Sequence, residues 1–291
     1  MKLTVRHLTR YSYAPEAAGV ALRMKLFPGN SDAQKVIDWT VTVNGHSIEP
    51  LLRDASRDGI GQWHAGKPID EVEILATGSF NTTNTAGVLR GVREAMPAAV
   101  YLRETDLTEP SAGLQAIISS IDDDDVLSRL HALSAAVAEA IDYTPGSTNA
   151  DTTAAEALVQ GQGVCQDQAH VFIAAARMLG IPARYVTGYL LDSDADADAD
   201  ADADAESGEQ THAWAEAHVS SLGWVGFDIT HQICPTDTYV RLASGLDATD
   251  AAPVRGTCIG EIEQSLTTEV KVSTAESQSQ SQSQSQSQSQ Q

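Results

Sequence analysis

Cys165, His212 and Asp228 are the residue types that together perform nucleophilic acyl chemistry: a thiol, an imidazole to move its proton, and a carboxylate to orient the imidazole. The thiol arrives in Gly161-Gln-Gly-Val-Cys165-Gln-Asp-Gln-Ala-His170, a glycine-rich approach to the start of a helix. At about 100° per residue, Cys165, Ala169, Phe172, Ala176 and Leu179 form one stripe. Ala174 and Ala175 keep the opposite side apolar, and a helix apolar nearly all round is a buried one. Gly180 and Pro182 mark its end. A cysteine in the first helical turn meets unpaired backbone N–H groups and the positive end of the helix dipole, which favour thiolate over thiol. The competing reading, a small buried hydrophobe, has equal claim on this segment alone; the residues downstream weigh against it.

Downstream, Thr211-His212-Ala-Trp214-Ala-Glu216-Ala-His218 alternates as a strand, with His212, Trp214, Glu216 and His218 on one face. Gly223-Trp224-Val-Gly226-Phe-Asp228 follows after Ser-Ser-Leu, with Trp224, Gly226 and Asp228 sharing a face. A hairpin centred near Ser220 would set His212 directly opposite Asp228, with Cβ atoms roughly 5 Å apart. There the carboxylate can accept Nδ1–H of the imidazole and fix its tautomer. A register one residue off would send the two to opposite faces. The same segment allows a second chemistry, with His212, His218, His231 and Asp228 as zinc ligands. No His-Glu-x-x-His or comparable spacing supports it, so neither metal nor cofactor is expected. His218 and His231 read as ordinary polar positions, and Trp214 and Trp224 as core or cleft wall. Glu216, Asp167 and Asp237 are the fallback orienters.

The rest of the chain must position these residues. Residues 1 to about 100 read as β: Leu3 to Tyr13 alternates, Val20 to Leu26 alternates again, Trp39 to Val43 leads into the turn signal Asn44-Gly45, and Val72 to Phe80 adds a further strand. Helical signals begin after Pro110. Asp122 to Asp125 precede a helix over Val126–Ile141, negative charge where the dipole favours it. Thr153-Ala-Ala-Glu156 is a capping box opening a short helix through Val159. Two β-rich segments, Arg184–Leu191 and His212–Ile229, flank an Asp-Ala run from Asp192 to Glu206. That run cannot bury apolar surface and is expected to be a disordered loop, as is the Ser-Gln tail from Ser277 to Gln291. Thr267–Ser273 is expected to add one last strand.

Composition narrows the partners. With 40 acidic against 18 basic residues the formal net charge is −22. Nucleic acid is therefore not an expected partner, since phosphate binding needs a basic face. The scarcity of lysine and abundance of aspartate suit a surface solvated in high salt. Cysteines 165, 234 and 258 have no C-x-x-C spacing and form neither a disulfide framework nor a zinc knuckle. With no apolar leader and no run of 18 apolar residues, the chain is expected to be cytoplasmic, with no membrane partner.

Gly163-Val-Cys165-Gln-Asp167, Arg177-Met-Leu-Gly-Ile-Pro-Ala-Arg184-Tyr-Val-Thr-Gly188, His212-Ala-Trp214-Ala-Glu and Gly223-Trp224-Val-Gly-Phe-Asp228 resemble the transglutaminase-like cysteine-enzyme superfamily in wording and order. The opening Leu3-Thr-Val-Arg-His-Leu-Thr-Arg-Tyr-Ser-Tyr, with Leu22-Arg23-Met and Pro28, resembles the β-rich region ahead of this core in bacterial and archaeal members. The resemblance implies an α+β fold: a papain-like transglutaminase core preceded by a β-rich N-terminal domain. The corresponding divisions are 1–100, 101–265 for the core, and 266–291 for a final strand and tail. It implies a triad of Cys165, His212 and Asp228, with one departure, since the usual Asp-Pro reads Asp228-Ile-Thr230 here. The activity implied is amide or peptide hydrolysis through a thioester, on a peptide or protein substrate. Acyl transfer to an amine uses the same residues and is the alternative; a non-catalytic binding module is the third reading, and no triad member is missing to favour it. The backbone N–H of Cys165 is the natural first oxyanion donor.

Overall fold

The computed structural model of this 291-residue chain describes residues 1–92, 95–191 and 211–274. The Asp-Ala run and the Ser-Gln tail lie outside the described residues. Period-two alternation builds the first two sheets. In strand Lys2–Ala17, Leu3 and Val5 are buried while Lys2 and Arg6 are exposed. It runs antiparallel between Ile69–Thr82 and Glu263–Thr274, and Gln34–Val43 pairs with the far edge of Ile69–Thr82. The Asn44-Gly45 signal is a tight turn to His46–Ser47, with φ of 48° and 76°, a conformation that Asn and Gly tolerate. The second sheet runs Val254–Ile259, Gly19–Phe27, Gly59–His64, Leu52–Arg53. Leu22, Met24 and Leu26 pack with Leu3, Val5, Val72 and Ile74 into one buried apolar cluster.

The third sheet is ordered Tyr239–Gly245, Ala183–Leu190, Thr211–Val219, Gly223–Phe227, Val88–Leu89. Helix Cys165–Met178 packs on it, with Ala112–Ser119, Val126–Ala140 and Ala154–Gln160 around that helix. Their interior joins Leu130, Leu133 and Val137 to Phe172, Ala213, Ala215 and Phe227. The caps are those read from the chain. Asp125 accepts from Ser128 N at 2.8 Å, and Thr153 and Glu156 exchange both bonds of a capping box at 3.2 and 2.9 Å. The last strand is longer than Thr267–Ser273 and starts at Glu263, so the division at residue 265 falls inside it. Residues 254–274 thus complete the two N-terminal sheets after the third sheet is built.

The N-terminal sheets are joined to the third by buried polar bonds as well as by apolar contact. The Gln34 amide donates to Arg241 O at 2.9 Å and accepts from Arg241 N at 2.8 Å. Lys25 Nζ donates to Ser244 O at 3.1 Å, and Asp58 Oδ2 accepts from Ser244 N at 2.7 Å. Buried polar atoms need such partners, so these contacts fix how the sheets meet. Among the described residues no helix is long and apolar enough to cross a membrane.

Candidate active site

The helix carrying the thiol begins at Cys165, with Val164 as its cap residue. Asp167 closes the first turn: its Oδ2 accepts Val164 N–H at 2.8 Å and the Thr148 hydroxyl at 2.6 Å. Glycine is required just before, because a Cβ at Gly163 would stand 2.8 Å from Asp167 Cβ. The helix is buried from Asp167 to Arg177, as its all-round apolar pattern predicts, and Gly180 at φ 75° ends it. Cys165 opens onto a half-open cleft of about 440 Å³. Tyr185, Thr187 and His212 of the third sheet line it on one side. Thr9 and Tyr11 of the first sheet and Arg255 of the second line it on another. The N-terminal sheets therefore supply part of the cleft wall.

The hairpin forms, in a register two residues from the expected one. Ala215 pairs with Phe227, Glu216 with Gly226 and His218 with Trp224, so the turn is centred on Ser221, and not on Ser220. A slip of two preserves which face each side chain takes. Asp228 stands diagonal to His212, one residue past the strand end, held by a bridge to Ile233. His212 Nε2 lies 2.7 Å from Asp228 Oδ2. This corrects the expected nitrogen: the carboxylate takes Nε2, which leaves Nδ1 for the thiol.

Asp228 is wholly buried and accepts four hydrogen bonds. His212 Nε2, His231 Nδ1 at 2.8 Å and the Tyr239 hydroxyl at 2.6 Å reach Oδ2, and His231 N–H reaches Oδ1 at 3.1 Å. Burial opposes its charge, but these bonds hold the carboxyl well below the usual carboxylate range. Burial likewise opposes protonation of His212. Hydrogen bonds and negative charge from Asp228 and Cys165 outweigh it and push the imidazole up to about 10.

Two residues here escape sequence reading. His231, taken as an ordinary polar position, folds back onto Asp228 from a tight loop; the Asp-x-x-His spacing was the available signal. Gln168 accepts from the Thr230 hydroxyl at 2.7 Å and donates to Ile141 O at 3.0 Å. It ties the loop after Asp228 to the thiol helix at the place where the family's proline is absent. The fallback orienters are engaged elsewhere. Glu216 is held by Arg184 and Arg241 at 2.6 and 2.9 Å, Asp167 caps its helix, and Asp237 faces the N-terminal amine at 3.7 Å. Of the four residues considered as zinc ligands, His212, Asp228 and His231 cluster with ligand atoms within 4.8 Å, without His218. Their contacts of 2.7 and 2.8 Å are hydrogen-bond lengths to one shared oxygen, shorter than the roughly 3.3 Å that bonds of about 2.0–2.1 Å to one tetrahedral zinc would set between two ligand atoms.

Comparison with known proteins identifies the two regions of the chain. The sequence profile of the Transglutaminase-like superfamily matches residues 115–229, and that of the Bacterial transglutaminase-like N-terminal region matches residues 3–80. The uncharacterized protein ML0607 of Mycobacterium leprae is 36% identical over 133 residues, 46% of this chain and 45% of that protein, so the match spans less than half of that relative. The uncharacterized protein Mb2599c of Mycobacterium bovis is 28% identical over 286 residues, covering 90% of this chain and 89% of its own. The crystal structure of a candidate cysteine protease from Cytophaga hutchinsonii has the same fold, with a TM-score of 0.74 at 21% identity over 94% of this chain and 91% of that one. The chain belongs to the transglutaminase-like superfamily and carries a bacterial transglutaminase-like N-terminal region ahead of the core.

Proposed function

We propose that this protein is a cysteine-dependent amide hydrolase of peptidase type, working through Cys165, His212 and Asp228. The observation that carries the reading is the 2.7 Å contact of His212 Nε2 with a buried, ionised Asp228, with Cys165 on the other side of the ring at the mouth of a cleft. In the reaction, the Cys165 thiolate adds to the amide carbonyl, and the backbone N–H at the helix start faces the developing oxyanion. His212 Nδ1–H protonates the departing amine, leaving a thioester. His212 then takes a proton from water, which hydrolyses the thioester and frees the thiolate. Asp228 stays ionised throughout and holds the ring. Because the cleft is half open, water has access to the thioester, which favours hydrolysis over transfer to an amine. We place the activity in the cytoplasm, on peptide or protein substrates, without metal, nucleic acid or membrane.

Site-resolved alkylation tests this. Cys165 should outpace the exposed Cys258, and Cys234, whose thiol burial pushes up, should lag behind both. Turnover of peptide amides should vanish in Cys165→Ser, persist in EDTA, and release free acid even with added amine. Equal labelling of the three thiols would remove the nucleophile assignment; a product that is wholly the amine adduct would replace hydrolysis by transfer.

A further inference from the structure

Arg255 lines the cleft from strand Val254–Ile259, and its directly paired residue across the ladder is Arg23. Gln62 follows Arg23 on the next strand. Directly paired residues project to one face. Leu22 and Met24 alternate into the core, so the two guanidinium groups stand together on the opposite face. Like charges set directly opposite destabilise a ladder. Among the described residues neither guanidinium has an ion-pair or hydrogen-bond partner, in a chain with more than twice as many acidic as basic residues. Neighbouring cations are treated differently. Lys25, next on the same face, is buried against Asp54 at 2.6 Å and Asp250 at 3.7 Å, and Arg10 meets Glu73 at 3.0 Å. Those acids are thus committed, and Arg255 is left on the cleft wall with Arg23 directly beside it. Apart from Arg255, the charged or titratable lining is Asp151, the two histidines His7 and His212, Cys165 and two tyrosines.

The geometry points to an anion subsite: Arg255 and Arg23 receive a substrate carboxylate while the scissile carbonyl lies at Cys165. Guanidinium groups bind carboxylates through two parallel N–H bonds, and a second arginine alongside reinforces the field. The substrate class is therefore an amide carrying a carboxylate, from a peptide C-terminus or from an acidic side chain. This rests on Cys165 being the nucleophile.

Iodoacetate and iodoacetamide differ in charge at similar size, so their relative rates at Cys165, read peptide by peptide in the full-length protein, report the subsite without a known substrate. In Arg255→Gln the iodoacetate-to-iodoacetamide ratio should fall about five- to tenfold, in Arg23→Gln about threefold, and in wild type it should shrink as salt shortens the screening length. An unchanged ratio in both variants overturns the subsite; failure of iodoacetamide itself to prefer Cys165 overturns the nucleophile reading instead. Protection of Cys165 by Gly-Gly-Gln as free acid, as C-terminal amide, and as the amide of Gly-Glu-Gln identifies the source. Stronger protection by either carboxylate supports the subsite and says which kind it takes. Equal protection by the neutral amide overturns it.

Discussion

Two buried carboxylates hang from the same hairpin and are held in opposite ways. Glu216 is gripped by two guanidinium groups, Arg184 at 2.6 Å and Arg241 at 2.9 Å. Asp228 is gripped by two imidazoles and a phenol. In both, burial opposes the charge and the partners overcome it. The difference is in what the partners can do. Guanidinium never gives up its proton near neutrality, so the Glu216 cluster is a fixed joint, and through Arg241 it reaches Asp58 of the N-terminal half at 3.7 Å. Imidazole does exchange its proton, so the Asp228 cluster holds a ring whose charge can change during a reaction. A buried carboxylate is thus structural or functional according to whether its partners titrate.

The comparison breaks most visibly at Asp228. Asp228→Asn offers an N–H where His212 Nε2–H needs an acceptor, and turnover should fall by about two to four orders of magnitude. Since Asp228 is the first cause raising His212, the imidazole should also titrate below the wild-type value of about 10, as NMR of the ring would show. Near-normal turnover with an unmoved titration would make Asp228 a strand-end residue only. Glu216→Gln should do the reverse. Removing the charge leaves two buried guanidinium groups underpaired, a loss of about 3–5 kcal/mol in unfolding free energy. Turnover of the molecules that remain folded should stay within a few fold. Denaturant unfolding with active-site titration separates the two effects.

The chain announces its chemistry more fully than its geometry. Residue types and order were legible: the glycine approach, the alternation around His212, and the apolar helix all reflect local rules of sterics and burial. The face shared by His212 and Asp228 was legible too, since side-chain parity survives a two-residue slip. Register was not, because Ser220, Ser221 and Leu222 carry no glycine or asparagine to say where the turn falls. The choice of ring nitrogen was hidden for the same reason, as it depends on the diagonal approach. Arg184, Glu216 and Arg241 come together from three strands, and no pairwise spacing in a sequence reveals a cluster of that kind.

Protonation separates the histidines next, and the windows do not overlap. His212 is raised, so the stability it contributes is complete below the unfolded value near 6.5 and is lost as pH rises towards 10. His7 and His170 are the opposite case: burial keeps both neutral and lowers them to about 4. Unfolded chains take up those protons first, so stability is full above 6.5 and falls by roughly 3 kcal/mol per histidine as pH drops towards 4. Asp228 adds its loss only below the ordinary carboxylate range. Unfolding free energy measured from pH 4 to 10 should therefore peak near 6.5. A curve flat between 6.5 and 4 would show that His7 and His170 are not buried as neutral rings.

The smallest effects sharpen the comparison within the Asp228 cluster itself. Tyr239 and His231 both donate to Oδ2, at 2.6 and 2.8 Å, yet Tyr239 is buried and His231 is 47% exposed. Removing the Tyr239 hydroxyl leaves a wholly buried carboxylate short of one donor that water cannot replace, about 1–2 kcal/mol. Tyr239→Phe should therefore slow turnover by about tenfold and lower the His212 titration, through a less firmly ionised Asp228. Removing the His231 ring opens its place to solvent, and a water molecule can donate in its stead. His231→Ala should cost about threefold or less, with the backbone N–H of the same residue still on Oδ1 at 3.1 Å. Steady-state rates for the two variants, taken beside NMR titration of His212, decide the point. If His231→Ala proves the more damaging, the exposed imidazole is taking part in proton movement, and the ordering of donors by burial is wrong.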